Sequence, residues 1–170
     1  MTALNVSRFL SLSLMGLGAG VSLSHALQWP QKAAFSGDEF LRVQQNLYYN
    51  YGPAGAILES GALLSTLATA YLTRNRPRAY ALILLGLGCT AANTAIWATL
   101  INPINRRTLL WTADALPPKW ADVRDRWHAL HAARLIVALI GFSALLLSML
   151  DDASAGSRER VALGSLVVHR

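Results

Sequence analysis

Five ionisable side chains lie within or at the ends of apolar stretches of this sequence, where such groups are costly and tend to mark function. They are His25, Glu59, His128, His131 and Arg134. His128 and His131 are three residues apart, so a helix would place them at neighbouring positions of one face. Three imidazoles and one carboxylate are a ligand set that copper, iron or zinc accepts. One prediction is therefore a single copper or iron ion held by His25, Glu59, His128 and His131.

The same residues allow two readings that need no cofactor. A neutral imidazole can act as a general base, because its ordinary pKa lies near neutrality. Alternatively, Glu59 pairs with Arg134 and the histidines hydrogen-bond to backbone carbonyls, so that the cluster is structural. The spacing of His128 and His131 is not the HExxH of zinc proteases. Spacing alone therefore leaves ligand, base and structural roles open.

The composition places these residues in a membrane protein. Of 170 residues, 54% are hydrophobic and 14% charged, against about 25% charged in ordinary soluble domains. Four apolar segments, at 9–29, 53–73, 79–101 and 127–150, each approach the ~20 residues that span a bilayer as a helix. The predicted fold class is all-α: an integral membrane four-helix transmembrane bundle over residues 1–150, followed by a polar, flexible cytoplasmic tail at 151–170.

The first apolar segment also has the features of a signal peptide. Arg8 precedes it, and the small-x-small triplet Ser24-His25-Ala26 resembles a cleavage site. Against cleavage, Gly16, Gly20 and Ser24 form a small-residue stripe that suits permanent helix packing. Similar stripes occur at Gly61, Ser65 and Thr69 and at Gly86, Thr90 and Thr94.

The charges indicate topology rather than nucleic-acid binding. The net charge is +6, but the basic residues end apolar runs instead of forming a patch, so lipid is the expected partner. The densest basic connection contains Arg74, Arg76 and Arg78 and is expected on the cytoplasmic side. The longer connection 102–126 carries more basic residues in total, five against three Asp, so the density of charge and not the raw count gives this orientation. Both termini would then be cytoplasmic. A homo-oligomer is compatible with the sequence.

Polar residues of all four spans are expected to meet at the outer-leaflet end of the bundle. Asn93, Trp97, Asn102 and Asn105 end the third span at depths similar to those of the ionisable cluster, and the cytoplasmic half contributes almost no polar chemistry. Ser36 and Glu39 form a capping-box pattern that predicts a short interfacial helix in the first outer connection. Its apolar face would carry Phe40, Val43 and Leu47.

Two motifs in the second half of the chain resemble a known family. They are Asn102-Pro103-Ile104-Asn105 and Trp120-x-x-x-Arg124-x-Arg126-Trp127-x-x-x-His131-x-x-Arg134. Together with His25, they resemble the anthrone oxygenase-like family of small four-span membrane proteins. His128 and Glu59 are nominated from depth and spacing and not from this pattern. The resemblance covers most of the chain.

The resemblance implies an oxygenase that acts with O2 on a lipophilic aromatic substrate of the anthrone or phenol type. His131 or His128 would be the base, and Arg134 or Arg126 would stabilise the enolate. The substrate's aromatic ring would pack against Trp127, Trp120 and Trp97. Asn93, Asn102 and Asn105 would also bind the substrate. The alternative function is a non-catalytic binding or assembly module for a metal, haem, quinone or partner subunit.

Overall fold

A computed structural model describes residues 2–168, with side chains described as far as Ser154. Within residues 2–168 there are six α-helices and no strand. The helices are α1 (Ala3–Ala33), α2 (Gly37–Arg42), α3 (Tyr51–Thr73), α4 (Pro77–Ile96), α5 (Asn102–Thr108) and α6 (Trp120–Val168). A π-helical turn, Val43–Leu47, follows α2, and a second, Trp97–Ile101, joins α4 to α5.

Four helical segments are long and apolar enough to cross a membrane: Ala3–Ala33, Tyr51–Thr73, Pro77–Thr108 and Trp120–Ser154. The predicted all-α, four-span bundle is therefore confirmed. In cross-section α1 packs against α3 and α6, and α4 packs against the same two helices. The pairs α1 with α4 and α3 with α6 thus lie diagonally across the bundle.

Small residues bring α4 and α6 close together. A Cβ added at Gly141 of α6 would lie 2.7 Å from Cβ of Cys89, and one added at Gly86 of α4 would lie 3.3 Å from the Gly141 carbonyl oxygen. Hydroxyl groups join α1 to α3, since Oγ of Ser11 and Oγ1 of Thr69 are 3.1 Å apart. Gly86 and Thr69 of the predicted stripes therefore serve helix packing, as expected where lipid supplies no hydrophobic force between helices, whereas a Cβ added at Gly20 would meet nothing within 4 Å.

The first outer connection contains the predicted capping box. The Ser36 N–H donates to Oε2 of Glu39 at 2.8 Å, and the Glu39 N–H donates to Oγ of Ser36. These hydrogen bonds hold the pKa of the exposed Glu39 carboxyl below its usual value. The buried pair of this segment is Phe40 and Leu41, whereas Leu47 is 63% exposed. Phe40 is buried as expected and Val43 packs against the cluster of Tyr48, Ile101 and Trp127. Leu47 leaves this face because α2 ends at Arg42 and the π-helical turn then changes the residue period.

The opposite end of the bundle carries an ion-pair cluster. Asp152 of α6 accepts hydrogen bonds from Arg8 of α1 and, at 2.5 Å, from Nη1 of Arg76 between α3 and α4. The expectation that this half contributes almost no polar chemistry was wrong. The three residues are far apart in the sequence, and only antiparallel packing brings them together.

The backbone of α6 is helical as far as Val168, beyond the position where the sequence predicts a flexible tail. Side chains after Ser154, and residues 169 and 170, lie outside the described part of the chain.

Candidate functional site

A cavity of about 360 Å³ lies at the end of the bundle opposite the Asp152 cluster. We call it the aromatic cavity because histidine, tyrosine and tryptophan rings line it. Its lining comes from α1, α3, α5, α6 and the two outer connections, and it includes His25, Tyr48, Trp97, Trp127 and His131. Its volume falls within the ~300–1,000 Å³ typical of small-molecule sites. Tyr49 and Leu109, which are 68% and 49% exposed, also line it, so the cavity reaches the surface of the protein.

Two buried histidines meet on the wall of this cavity. The ring centroids of His25 and His131 are 4.2 Å apart, and the Trp127 ring lies 4.7 Å from the first and 4.2 Å from the second. His25 is 2% exposed and His131 4%. Within the described residues, neither ring nitrogen of His131 nor Nδ1 of His25 has a hydrogen-bond partner. Buried polar atoms usually have one, so these nitrogens are suited to contact a polar group in the cavity.

Beside the histidines, an ion pair between Glu59 and Arg134 links α3 to α6, which lie diagonally across the bundle. Nη2 of Arg134 donates to Oε1 of Glu59, and Oγ1 of Thr94 donates to Oε2 at 3.2 Å. Both charged side chains are buried, with 6% and 12% of the Arg134 and Glu59 side chains exposed. Both also line the aromatic cavity. The ion pair considered from the sequence is thus present.

The four predicted metal ligands do not come together. Among the side chains that the structure describes, no group of three His, Cys, Asp or Glu residues could hold an ion. Glu59 is turned to Arg134, and His128 is absent from the cavity lining. His128 instead stacks on Trp29, with ring centroids 5.8 Å apart, and meets Trp127 edge-on at 5.0 Å. The residues present therefore do not fit a copper or iron site of this composition.

The other predicted site residues fall into two groups. Trp97, Asn102, Asn105 and Trp127 line the aromatic cavity, and Nε1 of Trp127 donates to Oδ1 of Asn105 at 2.8 Å. Trp120, Asn93 and Arg126 are not among its lining residues. Trp120 stacks on Phe40 at 5.9 Å, Asn93 lines a separate cavity of about 20 Å³, and Arg126 is exposed.

Sequence reasoning missed a polar group beside His25. The Tyr48 hydroxyl donates to Oε1 of Gln28, and Nζ of Lys32 donates to the same oxygen at 2.5 Å. Lys32 also lies over the Tyr48 ring, 4.1 Å from its centroid. The spacing of Gln28 and Lys32, four residues apart in a helix, was the available signal.

Comparisons of the chain with protein-family models, with curated proteins and with solved structures find no match. The resemblance to the anthrone oxygenase-like family therefore stays a prediction, and function is inferred from the site.

Proposed function

We propose that this chain is a membrane-embedded oxygenase that oxidises a lipophilic aromatic substrate of the anthrone or phenol type with O2 in the aromatic cavity. The observation that carries the proposal is the pair of buried histidines on the cavity wall, with nitrogens that no described residue satisfies. The motifs that resemble the anthrone oxygenase-like family agree with this, since five of their residues, Asn102, Asn105, Trp127, His131 and Arg134, line the same cavity.

His131 is the proposed general base. It is preferred to His128 because His131 lines the cavity and His128 does not. Its ring accepts the proton of an activated C–H or phenolic O–H, and the substrate becomes an electron-rich enolate or phenolate. The rings of His25 and Trp127, each 4.2 Å from the His131 ring, cover part of it and limit its contact with water.

Arg134 is the proposed stabiliser of the anionic oxygen. Its guanidinium group is held by Glu59 and lines the cavity. A preorganised positive group near a developing oxyanion lowers the barrier to its formation. Glu59 therefore acts as a positioning residue, which fixes Arg134 without touching the reacting atoms.

The oxidation step needs only the enolate and O2. The enolate transfers one electron to O2, and the two radicals combine into a hydroperoxide at the carbon that lost its proton. Loss of water from this hydroperoxide leaves a carbonyl group. One O2 is consumed, one of its oxygen atoms enters the product, and the other leaves as water. His131 returns its proton to the peroxide anion when the hydroperoxide forms, and the second hydrogen of that carbon leaves in the water.

The test uses the full chain purified in mild detergent, with anthrone as the probe. Appearance of anthraquinone and consumption of O2 are followed together. His131→Ala is expected to lower kcat by about 10²-fold or more, as loss of a general base does. Arg107→Ala is the matched control, because Arg107 is exposed and absent from the cavity lining.

A second measurement isolates the proton transfer. Without O2 and in D2O, the wild-type protein should accelerate deuterium exchange at the activated carbon of anthrone, and His131→Ala should not. A folded His131→Ala variant that oxidises anthrone at the wild-type rate would contradict the base assignment. Binding of anthrone and phenols with no turnover by the wild type would contradict the oxygenase and favour a binding module.

We also propose an orientation for the bundle. Arg8, Arg76 and Asp152 meet at one end, next to the basic connection of residues 74–78. Basic connections are enriched on the cytoplasmic side of membranes, so this end faces the cytoplasm and the aromatic cavity faces the other side.

A further inference from the structure

The charges on the walls of the aromatic cavity do not balance. Among the described residues, the charged side chains that line it are Glu59, Arg106 and Arg134, and Glu59 is paired with Arg134. Arg106 is exposed and makes no hydrogen bond or ion pair with any described residue. Counting the histidines as neutral, the lining therefore carries one uncompensated positive charge, and that charge is at Arg106.

Arg106 belongs to a face of α5 that forms part of the cavity wall. Asn102, Asn105, Arg106 and Leu109 are three or four residues apart, as neighbours on one helix face are, and all four line the cavity. Arg107 is the next residue and is also exposed, but it does not line the cavity. The presence of Arg106 in the wall thus follows from the rotation of α5 and is not shared by every basic residue of this segment.

The polar side chains of this face offer hydrogen-bond donors. Nε1 of Trp127 donates to Oδ1 of Asn105 at 2.8 Å, so the Asn105 carbonyl oxygen is engaged and its NH2 group makes no hydrogen bond within the described residues. The Arg106 guanidinium group has five donors and no acceptor. Donors with a net positive charge match an anionic acceptor, and the planar guanidinium group fits the two oxygens of a carboxylate.

The position of Arg106 would let such a carboxylate bind without being buried. Arg106 and Leu109 are exposed, whereas Trp127 and His131 on the same cavity lining are buried. Burial of an ionised carboxylate is costly unless it is paired. A ligand whose carboxylate lies at Arg106 and whose aromatic ring lies against Trp127 avoids that cost and still buries its apolar part.

We infer that Arg106, with the amide groups of Asn102 and Asn105, forms a carboxylate subsite at the mouth of the aromatic cavity, and that this protein binds aromatic acids. Arg106 follows the Asn-Pro-x-Asn motif and is not part of it. For the reaction, the inference rests on the proposed function, because the acid would be the substrate that is oxidised. For binding, it depends on the charges of the cavity lining and not on turnover.

The experiment compares 2-naphthoate with 2-naphthamide, which has the same ring system and no charge. Binding to the full chain is measured by calorimetry in an uncharged detergent. The wild type should bind 2-naphthoate more tightly, and Arg106→Gln should weaken this binding about fivefold, near the upper limit for an exposed ion pair. Binding of 2-naphthamide should not change. Salt should weaken the binding of 2-naphthoate alone, because ions screen exposed charges.

Arg107→Gln is the matched control, because it removes the same charge from the same exposed helix outside the cavity lining. It should leave the affinity for both probes unchanged. Arg106→Lys keeps the charge but not the planar fork, so its affinity for 2-naphthoate should lie between those of the wild type and Arg106→Gln. Unchanged binding of 2-naphthamide also shows that each variant has kept its cavity.

Three outcomes would overturn the inference. They are equal affinity of the wild type for the two probes, an equal loss of 2-naphthoate binding in Arg106→Gln and Arg107→Gln, and binding of octanoate as tight as that of 2-naphthoate. The last result would indicate an aliphatic acid instead of an aromatic one. Selective binding of 2-naphthoate by a wild type that does not oxidise anthrone would sustain the inference and contradict only the oxygenase.

Discussion

At the residue scale, the buried pair of Glu59 and Arg134 should dominate the stability of the site. Arg134→Met strands the Glu59 carboxylate, and breaking a buried pair in this way is expected to cost about 3–5 kcal/mol. The double variant Glu59→Leu with Arg134→Met removes both charges and should recover much of that loss. Reversible unfolding in mixed micelles, monitored by circular dichroism, measures the free energy of unfolding of the single and of the double variant. A double variant less stable than Arg134→Met would contradict the reasoning.

A second prediction concerns metal removal. Because Glu59 is paired with Arg134 and His128 lies outside the cavity lining, the described residues of the site offer His25 and His131 as neighbouring ligands but no third His, Cys, Asp or Glu. Dialysis against a chelator should therefore leave anthrone oxidation unchanged. The check is the turnover rate beside elemental analysis of the same sample. Loss of turnover on dialysis, restored by one equivalent of copper or iron, would contradict this prediction.

Depth in the apolar segments and the sequence motifs each predicted part of the site. Depth nominated Glu59, which lines the cavity, but also His128, which does not. Arg126 was nominated from the motif, but it precedes Trp127, and adjacent helical residues point about 100° apart. The rotation of α6 about its axis decides which of the two faces inward. That rotation is set by packing partners that are distant in the sequence.

At the element scale, the close contact of α4 and α6 should tolerate no added methyl group at Gly141. The added Cβ would meet Cβ of Cys89 at 2.7 Å, and a Cβ atom cannot move without its backbone. Gly141→Ala should therefore destabilise the bundle by about 1–3 kcal/mol, as overpacking does. Gly88→Ala is the control, since an added Cβ there meets nothing within 4 Å. Equal unfolding midpoints for the two variants would argue against the contact.

The cap of α2 gives a prediction about pH. The Ser36 hydrogen bonds lower the pKa of Glu39, so the folded-state pKa is below the unfolded value. The cap therefore stabilises α2 fully above the unfolded pKa, and this contribution is lost as the pH falls through the folded pKa. In Ser36→Ala the Glu39 pKa should rise part of the way to its ordinary value, because the hydroxyl hydrogen bond is lost while the backbone N–H of residue 36 still donates. NMR titration of the carboxyl carbon measures it, and an unchanged pKa would show that the Ser36 hydroxyl does not contribute.

The helices could be predicted more fully than the site residues, because the length and hydropathy of a segment depend only on residues that are adjacent in the sequence. The four spans and the capping box could be read from adjacent residues, and both were found. The π-helical turns Val43–Leu47 and Trp97–Ile101 have no comparable local signal. They displaced Leu47 from the expected buried face.

At the scale of the whole molecule, the proposed orientation can be tested with single cysteines in a Cys89→Ala background. Asn75→Cys lies in the basic connection, and Arg107→Cys lies at the end that carries the aromatic cavity. A membrane-impermeant maleimide should label Arg107→Cys in intact cells and Asn75→Cys only after permeabilisation, because basic connections stay in the cytoplasm. The reverse labelling pattern would invert the orientation.

The π-helical turn Trp97–Ile101 makes the number of residues in the third span part of the site. A π-helical turn holds one residue more than an α-helical turn, so it takes up one residue without rotating the helix that follows. If the same residues formed a regular α-helix, Asn102 and Asn105 would be rotated by about 100° relative to α4, and Trp127 would lose its acceptor. Two chains with the same Asn-Pro-x-Asn motif would thus present different faces to the cavity if only one of them had the π-helical turn. Insertions and deletions in this segment are informative about function even where every motif residue is retained.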